Sequence, residues 1–564
     1  MTERLDSEAG EWPQRPWLMA ALCAAAGLLF HFLIHEVTSD GSLSAERQAA
    51  ATFVVVTAIS FVVTVERLRW LWAVAFAAGW GTVIAFVGWF TASYNRNGEI
   101  AEFPFLAGVA AVLIAAPLFQ TIRDEGAWRF PYKKLHGHAW ADAVIGAASM
   151  LFTGITFLLA FLIAGLFDVI GIDALKDLLQ EGWFNWMLAG FAFGGAFGLL
   201  RERDKLVGTL QRLVMVVLSV LAPLLAVSLA LFLLSTLVTG TDKLWEGWLS
   251  ATALLLAASA GSALLLNAVI GDGRDERATN RILQWSAAIL AAVILPLAGL
   301  AATAMGMRIG QYGWTPERMW GAVAIGIALA YGLMGWWSLW RGRRDFDDLF
   351  RPLQVKLAIG VCALMVFLAL PILDFGAISA RSQIARLAAG KVEPAKFDWA
   401  ALAFDFGPSG RRQLGDLAKS GPAAWRQLAA EAFAAKERWG VAEATRVATE
   451  VDDVAGKIRV LSPDVQLTEQ VLRAITARRS CANDTKCALL RLDATRLILV
   501  EQYEPGSHVS SRVIDPTQPA NYDVTRAPPA PPKVEDFDKA RIEVREVARK
   551  QVFIDGQPVG EDFE

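Results

Sequence analysis

Eleven long apolar runs, almost free of charge, decide what this chain can fold into, because each is close to the ~20 residues that carry a helix across hydrocarbon. They fall at residues 17–34, 49–65, 70–92, 103–119, 143–170, 183–200, 213–238, 249–270, 282–305, 319–339 and 357–373. In lipid every backbone amide must bond within its own segment, so the expected fold is an α-helical polytopic bundle of about eleven transmembrane helices. Composition alone, 55% hydrophobic with a mean hydropathy of +0.39, would also suit a large soluble protein. Clustering of the apolar residues into span-length runs excludes that. The first span follows sixteen mostly polar residues and carries no small-residue cleavage site, so it is expected to remain as an anchor.

Charge between the runs gives a direction. Alternate connections hold Arg4 and Arg15; Arg67 and Arg69; Arg123, Arg129, Lys133 and Lys134; Arg201, Arg203, Lys205 and Arg212; Arg274, Arg277 and Arg281; and Arg341, Arg343, Arg344, Arg351 and Lys356. The intervening ones hold only Arg47, Arg96, Lys176, Lys243, Arg308 and Arg318. Basic loops stay in the cytoplasm, so the expected topology is a cytoplasmic segment 1–16, a transmembrane domain 17–373 and a periplasmic domain 374–564 in a bacterial inner membrane. Net charge is near balance, with no basic stripe interleaved with aromatics, so lipids rather than nucleic acid are the expected partners.

Beyond Asp374 the periodicity becomes that of a water-soluble α+β domain. Helices are expected over 377–389, 422–439 and 467–477, then strands over 487–492, 496–502, 509–514, 541–547 and 551–554. The Pro-rich stretch 527–533 reads as an extended spacer. Cys481 and Cys487 bracket a short polar turn; outside the cytoplasm they are expected to close as a disulfide, whereas Cys23 and Cys362 lie within spans.

Several patterns carry candidate chemistry. His31 and His35, one helical turn apart, could share a metal, although polar aromatics near the headgroups are the favoured account. The loop from Arg129 to Trp140 contains His136 and His138 and reads either as part of an anion site or, preferred here, as a lipid anchor with Tyr132 and Trp140 in the aromatic belt. The stretch Trp340 to Lys356 alternates basic and apolar residues and is expected to lie along the inner headgroup surface. Between the ninth and tenth spans, Thr315-Pro316-Glu317 is a helix start. Arg308, Tyr312 and Arg318 there could converge on a phosphate or carboxylate. Asp168 is the best intramembrane ionisable candidate, with Asn267 as a neutral companion. Such residues are so scarce that a buried carboxylate relay is disfavoured.

The motif Tyr312-Gly313-x-Thr315-x-x-Arg318 occurs with Ser379-x-x-Ser382-Gln383-x-x-Arg386-Leu387 and with Phe397-Asp398 to Phe404-Asp405-Phe406-Gly407. Together they resemble a bacterial multi-spanning inner-membrane family of the domain-of-unknown-function type. That resemblance implies architecture and an envelope location, and no activity, substrate or catalytic residue.

No phosphate-binding loop, nucleophile elbow, zinc-protease motif or calcium loop occurs, so no cofactor is expected. The preferred reading is a non-enzymatic protein that binds or moves a hydrophobic or amphiphilic envelope molecule, or a scaffold or sensor that meets an envelope partner through its carboxyl domain. The alternative is a membrane-embedded transferase or hydrolase with an outer-face site that includes Arg308, Tyr312, Arg318 and Asp168.

Overall fold

The computed structural model describes residues 12–35, 43–94, 102–240, 250–438, 440–441, 454–478, 480–481, 485–502, 509–517, 542–546, 550–554 and 556–563. The Pro-rich spacer at 527–533 and most of the amino-terminal segment lie outside them. The chain forms two compact units, Met1–Gln383 with Phe406–Ser409, and Ile384–Asp405 with Gly410–Glu564; the sequence reading divides it at Asp374.

The first unit is helical throughout. Its helices are α1 (Arg15–His35), α2 (Ala45–Thr64), α3 (Trp70–Tyr94), α4 (Glu102–Glu125), α5 (Tyr132–Val169), the short α6 (Ala174–Gln180), α7 (Gly182–Arg201), α8 (Asp204–Thr239), α9 (Ala251–Ile270), α10 (Arg281–Tyr312), α11 (Pro316–Gly342) and α12 (Phe346–Ala369). Among the described residues, ten apolar helical stretches are long enough to cross a membrane. The last, Pro316–Ala369, is broken by a 3-10 turn at Arg343–Asp345, where Arg343 takes a left-handed φ of 49°. The Tyr331 hydroxyl meets Gln354 Nε2 at 2.8 Å across this break, so α11 and α12 run back alongside one another. The eleven apolar helices read from the sequence are all present.

Two expectations are corrected. Residues 132–140, read as loop, are the first turns of α5, whose 38 residues extend for about 57 Å. The stretch 340–356 does not lie along a surface: Phe346 and Phe350 are 3% and 0% exposed and pack in the core with Leu266, Leu290 and Leu297. Arg351, one of the basic residues that suggested a headgroup contact, pairs instead with Asp347 and Asp348 of the same stretch.

The tightest helix pair is α1 with α7. Gly182, Gly190, Gly194 and Gly198 recur at multiples of four along α7 and present a flat face. A Cβ at Gly190 would overlap the carbonyl oxygen of Cys23, and one at Gly194 that of Met19. Close backbone approach of this kind replaces the hydrophobic drive that lipid cannot supply.

The second unit contains a four-stranded sheet in the order β1 (Ile458–Val460), β2 (Lys486–Arg491), β3 (Leu497–Gln502), β4 (Val509–Ile514), with β1 parallel to β2 and the rest antiparallel. A second antiparallel sheet comprises β5 (Ile542–Glu546), β6 (Lys550–Ile554) and β7 (Gln557–Phe563). One face of β2 and β3, with Leu490, Ile498 and Val500, packs on Val552 and Ile554 of β6. The other, with Leu489, Leu497 and Leu499, packs with Val471 and Ile475 of the helix Glu469–Ala477. All six β3 residues are buried because both faces are covered, which is why its sequence runs apolar without alternation. The expected helix over 422–439 is shorter, Ala423–Ala434, and β1 and β7 carry no clear sequence signal.

Cys481 and Cys487 are disulfide-bonded, with Cα atoms 5.9 Å apart. Cys481 adopts a left-handed φ of 58°, an uncommon conformation for a residue with a Cβ. Glu501 holds it there: its carboxylate, on a residue only 3% exposed, accepts from the Cys481 amide at 2.9 Å and the Ser480 hydroxyl at 3.3 Å. Closing so short a loop contributes about 2 kcal/mol on loop-entropy grounds. Replacing both cysteines by serine is expected to destabilise the second unit by about that amount. The check is the thermal midpoint of the full chain in detergent, with and without a dithiol reductant; unchanged midpoints in both would refute it.

Candidate functional site

Two features of the membrane unit have the form of a site: an apolar groove and a polar network. The groove lies apart from the candidate residues of the sequence, and the network gathers three of them, Tyr132, His136 and Asn267.

The groove opens between α1, α2 and α7, with a volume of about 680 Å³. Phe30 and Ile34 of α1, Ala51 and Val55 of α2, and Trp186 and Phe193 of α7 form most of its wall. Gln48 and Thr52, in the first two turns of α2, supply an amide and a hydroxyl. It exists because the glycine face of α7 draws α1 in on one side while bulky aromatics hold the helices apart beside it. Such a volume is within the range of small-molecule sites, and a largely apolar lining with few polar groups is their usual character.

The polar network joins four helices. Asn267 of α9 donates through Nδ2 to the Tyr331 hydroxyl of α11 at 2.9 Å and to Ala263 O at 2.8 Å. Its Oδ1 accepts from Gln354 Nε2 of α12 at 2.8 Å and from the Tyr132 hydroxyl of α5 at 3.3 Å. Tyr132 in turn lies 3.0 Å from His136 Nδ1. Beside this network Arg351, 5% exposed, donates to the carbonyls of Ile270 at 2.7 Å and Gly271 at 3.4 Å, capping α9, and pairs at 2.7 Å with Asp347, which is fully buried. Arg277 approaches Asp347 at 3.1 Å, and Arg274 reaches Asp348 at 2.5 Å, raising the Arg274 pKa.

A matching cluster closes α2. Gln120 bonds Val63 O at 2.9 Å, Arg123 bonds Thr64 O at 2.6 Å, and Arg15 bonds Val65 O at 2.8 Å. Arg123, 2% exposed, also pairs with Glu66 and Asp124. Asp142 takes Gln120 at 2.9 Å and Arg201 at 3.1 Å. His138 meets Asp124 at 2.8 Å.

The residues singled out from sequence are placed as follows. Tyr312 and Arg318 come together, the guanidinium carbon 5.6 Å above the ring, but Arg318 Nη1 also donates to Gly313 O at 2.5 Å. Gln383 donates to Tyr312 O at 2.8 Å and Trp314 O at 3.0 Å, and Ser382 accepts from the Trp314 amide at 3.3 Å. Ser382 and Gln383 therefore clamp the motif at 312–318, with Thr315 capping α11. Arg308 is exposed on the last turns of α10. Asp168 is exposed and bonded to Lys176 at 3.0 Å, which raises the lysine pKa, and Asn267 belongs to the polar network instead. The His31 and His35 rings are 5.0 Å apart, with His31 against Gly182. Among the described residues one trio of metal-capable side chains gathers, Cys481, Cys487 and Glu501, and its sulfurs are already joined. The association of Tyr132, His136 and Asn267, and the part played by Tyr331, Gln354 and Asp347, was missed because residues 129–140 read as a loop and 340–356 as a surface segment.

Replacing Arg351 by Ala leaves the α9 carbonyls without their donor and the buried Asp347 with Arg277 as its remaining counter-charge among the described residues, an expected loss of about 3 kcal/mol. Removing Asp347 as well should restore part of it. Thermal unfolding in detergent checks both; a single variant as stable as wild type, or a double variant no better than the single, would be inconsistent with this pairing.

A family model described as a domain of unknown function (DUF4153) matches residues 51–417. No curated protein and no solved structure matches the chain.

Proposed function

Because the chain belongs to the DUF4153 family, whose function is not assigned, we infer the activity from its own geometry: it binds a hydrophobic or amphiphilic envelope molecule in the groove between α1, α2 and α7. The groove itself is the observation that carries this reading. It lies among helices that lipid surrounds, so a molecule already dissolved in the bilayer reaches it sideways without crossing water. Its walls reward apolar surface, while Gln48 and Thr52 offer hydrogen bonds to a polar end. A hydrolytic or transfer reaction finds less support, since Arg318 is engaged by its own turn and Asp168 by Lys176.

The setting proposed for this binding is a bacterial inner membrane, amino terminus inside and carboxyl unit in the periplasm. Support comes from the bias of Lys and Arg to alternate connections and from a disulfide in the carboxyl unit, a bond that persists in oxidising compartments. A reporter enzyme active only outside the cytosol, fused after Glu564, is expected to work. Activity solely from a cytosolic reporter at that point would reverse the orientation.

Filling the groove tests the binding itself. Full-length protein carried through detergent exchange is expected to retain lipid by native mass spectrometry, and Val55→Trp to lower its occupancy at least about tenfold, a change of roughly 1.4 kcal/mol. Equal retention by a folded Val55→Trp variant would dismiss the groove as the binding place.

A further inference from the structure

We propose that His136 is a proton-binding site within the membrane unit, its Nε2 lone pair held ready by the hydrogen-bond network of Tyr132, Asn267, Tyr331 and Gln354. The inference is independent of the lipid groove.

Proton positions in this network follow from which atoms can only accept. Ala263 O is a backbone carbonyl, so the Asn267 atom 2.8 Å from it is the amide nitrogen, and the other, Oδ1, can only accept. Oδ1 lies 3.3 Å from the Tyr132 hydroxyl, whose single proton is therefore directed to it. With that proton committed, the 3.0 Å contact between Tyr132 and His136 Nδ1 is completed by a proton on Nδ1. A neutral imidazole carries one N–H, so Nε2 is left as a bare acceptor.

That acceptor is enclosed. His136 is 7% exposed, and Nε2 meets no hydrogen-bond partner among the described residues. The Trp140 ring lies beside the imidazole, centroids 6.2 Å apart. The charged groups that bear on it are Asp272, following α9, and Arg351 of α12, opposite in sign; Lys133 on its own helix lies 3.9 Å from Asp272. Tyr132 and Tyr331 are the other titratable groups of the network. A metal ion would need further ligands, and among the described residues no group of three metal-capable side chains includes His136. One lone pair and no second donor atom suit a ligand that takes a single bond, the proton.

Binding converts Nε2 from acceptor to donor and adds a positive charge, while Nδ1–H keeps its bond to Tyr132. The charge arises where α5 is fastened to α9, α11 and α12, so the network senses occupancy directly.

The test is ¹⁵N NMR of the full chain, labelled at its five histidines, in lipid nanodiscs, with His136→Gln used only to assign the signal. Expected are an Nδ1-protonated neutral form, a one-proton transition at Nε2 while the fold persists, and loss of the Nδ1 preference in Tyr132→Phe. A neutral form protonated at Nε2, the absence of any titration before unfolding, or a tautomer unchanged in Tyr132→Phe would each overturn the proposal.

Discussion

Carbonyl groups at the buried ends of membrane helices need protein donors, and the arrangement of this bundle follows from how they are bonded. The last turn of a helix leaves its carbonyls without intrahelical donors. At α2 three such groups, Val63, Thr64 and Val65, are taken by Gln120, Arg123 and Arg15. At α9 two are taken by Arg351. Guanidinium groups suit the task because they carry several donors and a positive charge that faces the negative end of the helix dipole. Each cation then needs its own counter-charge, which is why Glu66, Asp124 and Asp347 are drawn to the same places. The clusters are thus consequences of ending helices inside a protein surrounded by lipid, and they fix which helices are neighbours.

Packing between the ends obeys a different rule. Lipid offers no hydrophobic penalty to a separated helix, so contact has to be gained by close approach, as at Gly190 and Gly194 against α1. A helix that is flat along one stripe and carries Trp186 and Phe193 beside it cannot be close to both neighbours at once. The space left against α2 is the groove. The feature that gives the unit a place for an apolar guest therefore shares its origin with the contact that holds α1 and α7 together.

Apolar runs and caps were the legible part of the sequence. Thr315, Pro316 and Gly313 mark the boundary between α10 and α11, and the cysteine pair marks its disulfide, because local chemistry decides both. What failed was the inference from charge to exposure. Lys133 and Lys134 stay exposed while pairing with Asp272 and Glu125. Arg351, which looks like a headgroup anchor, is buried instead on the carbonyls of Ile270 and Gly271, 81 and 80 residues away, which a local window does not contain. Phe346 and Phe350 alternate with charge as an interfacial helix would, yet the break at Arg343 turns them into the core. Glu501 was unreadable for the same reason: its role depends on a turn twenty residues earlier.

Scarcity of intramembrane carboxylates argues against a carboxylate relay only if a carboxylate is the sole way to hold a proton there. Asp142 and Asp347 are committed to ion pairs with Arg201 and Arg351. A neutral imidazole has no such commitment. It is the cheapest titratable group to enclose, since its resting form carries no charge to desolvate, and its two nitrogens allow one to be fastened while the other stays open. His136 is built in that way, with Nδ1 tied to Tyr132 and Nε2 facing inward. Beside Arg123 and Arg351, which are spent on ending helices, a fastened neutral histidine is a group whose protonation state can change.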